Sequence, residues 1–321
     1  MAGATTSPFG RKRLFAVVFF AALFLAGSVA FYGTPLSVQR TYNLVAQTSD
    51  GVSIYFDVYE PRGGPAVKNA VILGHGIMVN KEVMKFLAME LAANGFVSVA
   101  FDFRSHGLSG GNFNFLAGKF DLKTFSMDNI AAFLSADTLV KDIDAVKIYL
   151  AGRGDINMTN LGYVGYSMGG GAGFAALAND TDFHAMVGVA PVPDFDRTNL
   201  TRPPNLLIVM GKNDEAISYN AVLKVMENKT GHAVTAADID AQVAKNTTWE
   251  WAGGSFAAGT AARLVVDPLA EHFLAAWQPR FVQETRDWMC RALLGLAEAP
   301  NTQTYLTLVF VLLLQVTGGV A

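Results

Sequence analysis

Cysteine is nearly absent: Cys290 stands alone among 321 residues. One thiol closes no internal disulfide, and the five histidines show no zinc-ligand spacing, so neither a disulfide scaffold nor a structural metal site is called for. Charge is sparse as well. Only 16% of residues are charged and the formal net charge is −3, where ordinary soluble domains carry roughly 25% charged residues. Beyond Arg11, Lys12 and Arg13 no basic run exists, which leaves no electrostatic footprint for nucleic acid. Hydrophobic residues make up 51% of the chain, enough to predict that part of it lies in lipid.

Both ends carry that excess. Residues 14–32 form an almost unbroken apolar run, close to the ~20 residues a helix needs to cross a bilayer. The positive cluster before it stays on the cytoplasmic side, so the chain that follows faces outward. Ser28-Val29-Ala30 is also a small-x-small site, so cleavage as a secretory signal peptide is the competing expectation. A second apolar stretch, 305–316, reads as another span, or as a C-terminal docking helix if it is buried. Sequons at Asn157, Asn179, Asn199, Asn228 and Asn246 would be acceptors outside a glycosylating cell. The expected division is a basic flank plus anchor or signal peptide over 1–37, a catalytic domain over 38–300, and a hydrophobic segment over 301–321.

Between the ends, extended segments on either side of Ser49-Asp50-Gly51 predict an antiparallel hairpin over 42–59, since Asp-Gly favours a tight turn. Strand-length apolar runs follow at 70–73, 96–101, 161–164, 185–189, 205–210 and 262–266. They alternate with helix-like stretches at 81–93, 138–151, 168–177, 218–226 and 271–294. Such alternation predicts an α/β fold: a mostly parallel central sheet with helices on both faces. Two segments fall outside it, the phenylalanine-rich 112–134 and the mixed 230–260 with Trp249 and Trp251. Their aromatics either fill satellite cores or line an acyl pocket or membrane-facing surface.

The chemistry is concentrated at Gly165-Tyr166-Ser167-Met168-Gly169, a G-x-S-x-G with a strand before it and a small-residue helix after it. That context suits a nucleophile elbow, in which Gly165 and Gly169 permit a turn tight enough to expose Ser167 at a helix N-terminus. A serine needs a base, and the base needs a carboxylate to fix its tautomer. In proteins with this elbow the acid and then the histidine follow the serine in the chain. His184 enters a strand from the wrong side and His232 lies in a polar stretch, so His272, just after a strand and the turn Asp267-Pro268, is the expected base. Asp214, past the C-terminal end of a buried strand, is the expected acid, with Glu215, Asp194 and Asp196 as alternatives. The expected oxyanion donors are the N–H groups of Met168 and of Ile77, the latter on a loop that His75 and Gly76 turn toward the serine.

With those residues in place, the chain resembles the α/β-hydrolase superfamily, and within it the compact dienelactone-hydrolase-like and acylaminoacyl-peptidase-like members. The resemblance spans roughly 42–296. It rests on Gly74-His75-Gly76, the stretch from Asp102 through Arg104 and His106 to Gly110, Gly165 to Gly169, Gly211 to Asp214, and His272. It implies that Asp102, Arg104 and His106 brace the loops beneath the site. Dienelactone hydrolases proper attack with cysteine, and position 167 is serine here, so their substrate is not implied. No long insertion separates Pro191 from Pro204, so no large cap domain is expected.

These features predict hydrolysis of a carboxylic ester through an acyl-enzyme on Ser167. The alternatives are a serine peptidase or thioesterase on the same residues, or a membrane-tethered protein that binds without catalysis. The mechanism calls for no cofactor or metal, and the expected partners are a small ester and the lipid bilayer.

Overall fold

A computed structural model describes residues 8–33, 35–111, 135–245 and 247–320. The phenylalanine-rich stretch 112–134 lies outside the described residues. A single nine-stranded sheet organises the chain, in the order β1-β2-β4-β3-β5-β6-β7-β9-β8. β1 (Val38–Gln47) and β2 (Ser53–Pro61) form the antiparallel hairpin, and β2 runs antiparallel to β4 (Val97–Phe101). From β4 the sheet is parallel through β3 (Ala70–Gly74), β5 (Leu161–Tyr166), β6 (Phe183–Val189), β7 (Leu206–Gly211) and β9 (Ala262–Asp267). A two-residue antiparallel strand, β8 (Trp249–Glu250), closes the edge.

The strands β3, β4, β5 and β7 are buried at every residue. A strand covered on both faces cannot alternate polar and apolar positions, which is why these read as unbroken apolar runs. On one face lie α2 (Lys85–Ala93), entered through a 3₁₀ turn at Lys81–Met84, and α7 (Pro279–Met289). On the other lie α3 (Ala136–Ala151) and α4 (Met168–Leu177). After β7 come α5 (Tyr219–Thr230), stopped by Gly231 at φ 72°, and α6 (Ala236–Ala244).

Two expectations change here. The helix predicted over 271–294 is not continuous: residues 271–278 form a loop with one 3₁₀ turn at Ala275–Trp277, and Pro279 opens α7 at a position where its missing N–H costs nothing. The segment 230–260, which falls outside the predicted alternation, contains α6 and β8. Thr235 caps that helix reciprocally with Asp238, the pairing that satisfies two helix-end donors at once.

Each end of the chain is a helix. α1 (Pro8–Gly33) contains a 20-residue stretch, Arg11–Ala30, long and apolar enough to cross a bilayer and only 6% buried. α8 (Thr304–Val320) is 17 residues long and packs antiparallel against α1. Small residues set their separation: a Cβ on Gly27 would lie 2.6 Å from the Gln315 nitrogen, and one on Gly318 2.3 Å from the Phe24 nitrogen. Gln315 Nε2 donates to Ser28 Oγ at 3.2 Å across the pair.

α8 is held to the sheet domain by buried polar groups. The Glu90 carboxylate accepts the Tyr305 N–H at 2.7 Å through one oxygen and Arg286 at 2.9 Å through the other. Asn94 exchanges two hydrogen bonds with the backbone of Asn301, at 2.8 and 2.9 Å. The Tyr305 hydroxyl donates to the Trp277 carbonyl, so α8 also touches the loop that carries His272.

Candidate active site

β5 ends at Tyr166 and α4 begins at Met168, leaving Ser167 alone at the corner. Its φ of 52° and ψ of −114° lie where L-residues rarely go, a strain held in place by the packing around it. The corner closes only because its flanks are glycine. A Cβ on Gly165 would stand 2.4 Å from the Gly169 carbonyl oxygen, and one on Gly169 would stand 2.4 Å from that of Gly74.

Two loops at the C-terminal edge of the sheet bring the other groups to this corner. Asp214 follows β7 and His272 follows β9. Asp267 shapes the second loop by accepting the N–H groups of Leu269 and Ala270 at 2.8 and 3.2 Å and the Gln278 amide at 3.2 Å. His272 Nε2 then lies 3.0 Å from Ser167 Oγ, and Nδ1 lies 2.8 Å from Asp214 Oδ2. With its proton on Nδ1 donated to the carboxylate, the imidazole presents Nε2 as an acceptor for the serine hydroxyl. Ser167 is 6% exposed and His272 7%, so little water competes for either bond.

The second oxygen of Asp214 accepts the N–H groups of Ala216 and Ile217 at 3.0 and 2.7 Å. Burial pulls this carboxyl upward, but the bonds from His272, Ile217 and Ala216 outweigh it and hold the group below its ordinary pKa. Asp214 therefore stays ionised at neutral pH. Its alternatives are engaged elsewhere: Glu215 accepts the backbone N–H of His272 at 3.2 Å, and Asp194 pairs with Arg197 at 2.7 Å. Asp196 is exposed, as are His184 and His232.

The loop after β3 meets the same corner. His75 is fully buried; its Nδ1 donates to the Gly76 carbonyl at 2.6 Å and its Nε2 accepts the Phe103 N–H at 3.0 Å. Desolvation pushes its pKa down to about 3, so the ring is neutral. Gly76 lets the loop pass the elbow, since a Cβ there would lie 2.8 Å from the Tyr166 ring. Among the described residues no protein group accepts the N–H of Ile77 or of Met168.

Beneath the loops, Asp102 accepts the backbone N–H groups of Lys81 and Leu108 at 2.7 and 2.9 Å. Arg104 bridges Asp142 on α3 at 2.8 Å and Asp50 in the hairpin turn at 2.9 Å. His106 Nδ1 donates to the Arg104 carbonyl at 3.0 Å. All three are thus structural braces and none touches Ser167. Tyr166, unassigned from sequence, donates its hydroxyl to the His272 carbonyl at 3.0 Å, and its ring lies 5.5 Å from the imidazole. Nothing in a single sequence marks the variable position of G-x-S-x-G for this task. Among the described residues no group of three or more His, Cys, Asp or Glu could hold a metal ion.

Residues 65–266 match the family described as serine aminopeptidase, S33. The chain belongs to this family. Solved structures with the same fold include an esterase of Pyrococcus furiosus, at 17% identity and TM-score 0.55, covering 81% of this chain and 96% of that one. A cold-adapted esterase from an Arctic intertidal metagenomic library matches at 18% identity and TM-score 0.53, covering 80% and 95%. A dienelactone hydrolase of Anabaena variabilis matches at 16% and 0.51, covering 80% and 99%. No curated protein matches in sequence. At such identities the likeness concerns the fold, which this S33 family member shares as an α/β-hydrolase enzyme with only turns between β6 and β7.

Proposed function

We propose that this chain is a membrane-tethered serine hydrolase that cleaves carboxylic esters through an acyl-enzyme on Ser167. The observation that carries the reading is the continuous hydrogen-bonded path from Ser167 Oγ through His272 to Asp214, at 3.0 and 2.8 Å, at a strained strand-to-helix corner. In this reading His272 takes the serine proton as Oγ attacks the acyl carbon, and Asp214 stabilises the imidazolium that forms. The developing oxyanion is received by the N–H groups of Ile77 and Met168, and His272 then returns its proton to the leaving alcohol. A water activated by the same imidazole releases the acid and restores Ser167. No step calls for a cofactor.

The tether is the helix pair α1 and α8. The apolar stretch of α1 is nearly all exposed, and bare apolar surface on that scale is satisfied by lipid. α8, at 17 residues, reaches about 25 Å, near the short end of what spans a bilayer. With Arg11 to Arg13 on the cytoplasmic side, the catalytic domain faces out.

The same three residues also serve amides and thioesters, which makes substrate comparison the direct test. Hydrolysis of p-nitrophenyl esters of graded acyl length, beside an aminoacyl p-nitroanilide and an acyl thioester, should favour the ester and disappear in Ser167→Ala. A folded chain that cleaves only the anilide would replace the ester reading with a peptidase; one that cleaves nothing would leave a tethered binding protein.

A further inference from the structure

The loop that carries His272 also forms one side of an apolar groove of about 650 Å3 that the reaction steps above leave unused. Its walls are Phe86 of α2, Leu274 and Trp277 of the His272 loop, and Val309, Leu312 and Leu313 of α8. Its polar members are Glu271 and Gln278 of the His272 loop and Tyr305 of α8. Catalytic domain and tether therefore build one cavity between them.

Its position relative to the bilayer follows from α8. Val309, Leu312 and Leu313 lie on one stripe of the helix, and the span from Thr304 to Leu313 covers about 13 Å of its axis. A groove that follows a membrane helix for that distance opens into the acyl region of the outer leaflet and not into water. The junction is fixed, because Glu90, Asn94 and Trp277 bind the start of α8 directly. Apolar side chains crowd the same edge: Leu269 is 90% exposed, Phe273 72% and Leu274 55%. Exposed apolar surface continuous with a membrane helix is covered by lipid.

We propose that this groove holds one acyl chain of a bilayer lipid and delivers its ester to Ser167, so that the enzyme draws its substrate laterally from the membrane. The identity of the substrate rests on the esterase reading; the occupancy of the groove rests only on the proposed placement of α8 in the bilayer.

The test uses the full chain reconstituted in phosphatidylcholine vesicles doped with a phosphatidylcholine that bears a diazirine on one acyl chain, in wild type and Ser167→Ala. Photolysis and peptide mapping should place adducts on Phe86, Leu274 and Trp277 as well as on Val309 and Leu312, equally in both proteins. Adducts confined to α1 and to the outward side chains Leu306 and Phe310 would overturn the groove. In parallel, Leu312→Trp should lower the ratio of long-chain to short-chain ester hydrolysis at least tenfold, with fluorophosphonate labelling of Ser167 as the check on folding. An unchanged ratio in labelled protein would overturn the delivery step. Adducts in the groove of a chain that cleaves no ester would leave lipid binding standing and remove the esterase reading.

Discussion

The carbonyl oxygen of His75 accepts the Gly169 N–H at 3.1 Å, which fastens the loop carrying Ile77 to the helix that starts at Met168. Two oxyanion donors from distant parts of the chain are useful only if their separation is fixed before substrate arrives, because reorganisation during reaction would consume the stabilisation they offer. In the proposed mechanism this bond fixes the spacing of the Ile77 and Met168 N–H groups, and the neutral, buried ring of His75 braces the same loop.

Disturbing that bond should affect rate before binding. Gly169→Ala places a methyl against the Gly74 carbonyl and forces the loop and helix apart. Steady-state kinetics should show kcat lower by about a hundred- to thousandfold, the typical loss when one oxyanion donor is misplaced, with KM changed far less. Equal changes in kcat and KM would point to general disruption of the site.

The carboxylate of Asp214 fixes the His272 tautomer. Asp214→Asn keeps the shape but lets the amide donate to Nδ1, which turns the proton toward Ser167 and leaves no acceptor for its hydroxyl. Ester turnover near pH 7 should fall by about four orders of magnitude. Glu215→Gln should cost little by comparison, since among the described residues Glu215 meets only the backbone N–H of His272. Comparable losses in the two variants would reverse the assignment of the acid.

How far these residues could be read in advance depended on how local their signals are. Ser167 and its flanking glycines are contiguous, and the fully buried strands β3, β5 and β7 leave apolar runs that survive without any alignment. Asp214 and His272 followed from strand ends, because the ends of parallel strands share one edge of the sheet. The loop over 271–278 was misread as helix because Phe273, Leu274 and Trp277 have helix-like spacing, yet their apolar surfaces point outward. Sequence alone does not tell which apolar residue faces the core. The Thr235 and Asp238 cap of α6 was a readable signal that the surrounding polar composition obscured. Tyr166 and Glu90 act through contacts with residues far along the chain, and such contacts leave no periodic trace.

Acid should loosen the fold through His75. Its pKa falls from 6.5 to about 3 on burial, and burial lowers that of His106 as well. The unfolded chain therefore binds protons that the folded chain refuses. The His75 contribution to stability is fully present above about pH 6.5 and declines as pH falls toward 3, by about 1.4 kcal/mol per pH unit; His106 adds to it in the same direction. Thermal unfolding of the detergent-solubilised chain between pH 7 and pH 4 should show this slope, and His75→Gln should flatten it. A slope unchanged by the substitution would place the acid sensitivity elsewhere.

Glu90 secures the C-terminal helix. It is fully buried, and Glu90→Ala would remove the acceptor shared by Arg286 and the Tyr305 N–H, leaving Arg286 with Asp287 alone among the carboxylates described. Removing one partner of a buried pair typically costs about 3 to 5 kcal/mol, so the melting temperature should drop by several degrees and limited proteolysis should begin near residue 301. Cleavage that spares this junction would show that the α1 contact alone holds α8.

The central claim is that Ser167 is the nucleophile and that His272 makes it one. The most direct measurement is peptide mapping by mass spectrometry after brief exposure of the full chain to a fluorophosphonate, in wild type, His272→Ala and Ser167→Ala. The account predicts a single phosphonyl adduct on the peptide containing Ser167, formed at least a thousandfold more slowly without His272 and absent in Ser167→Ala. An adduct on another serine, or labelling of Ser167 at the same rate without His272, would contradict it.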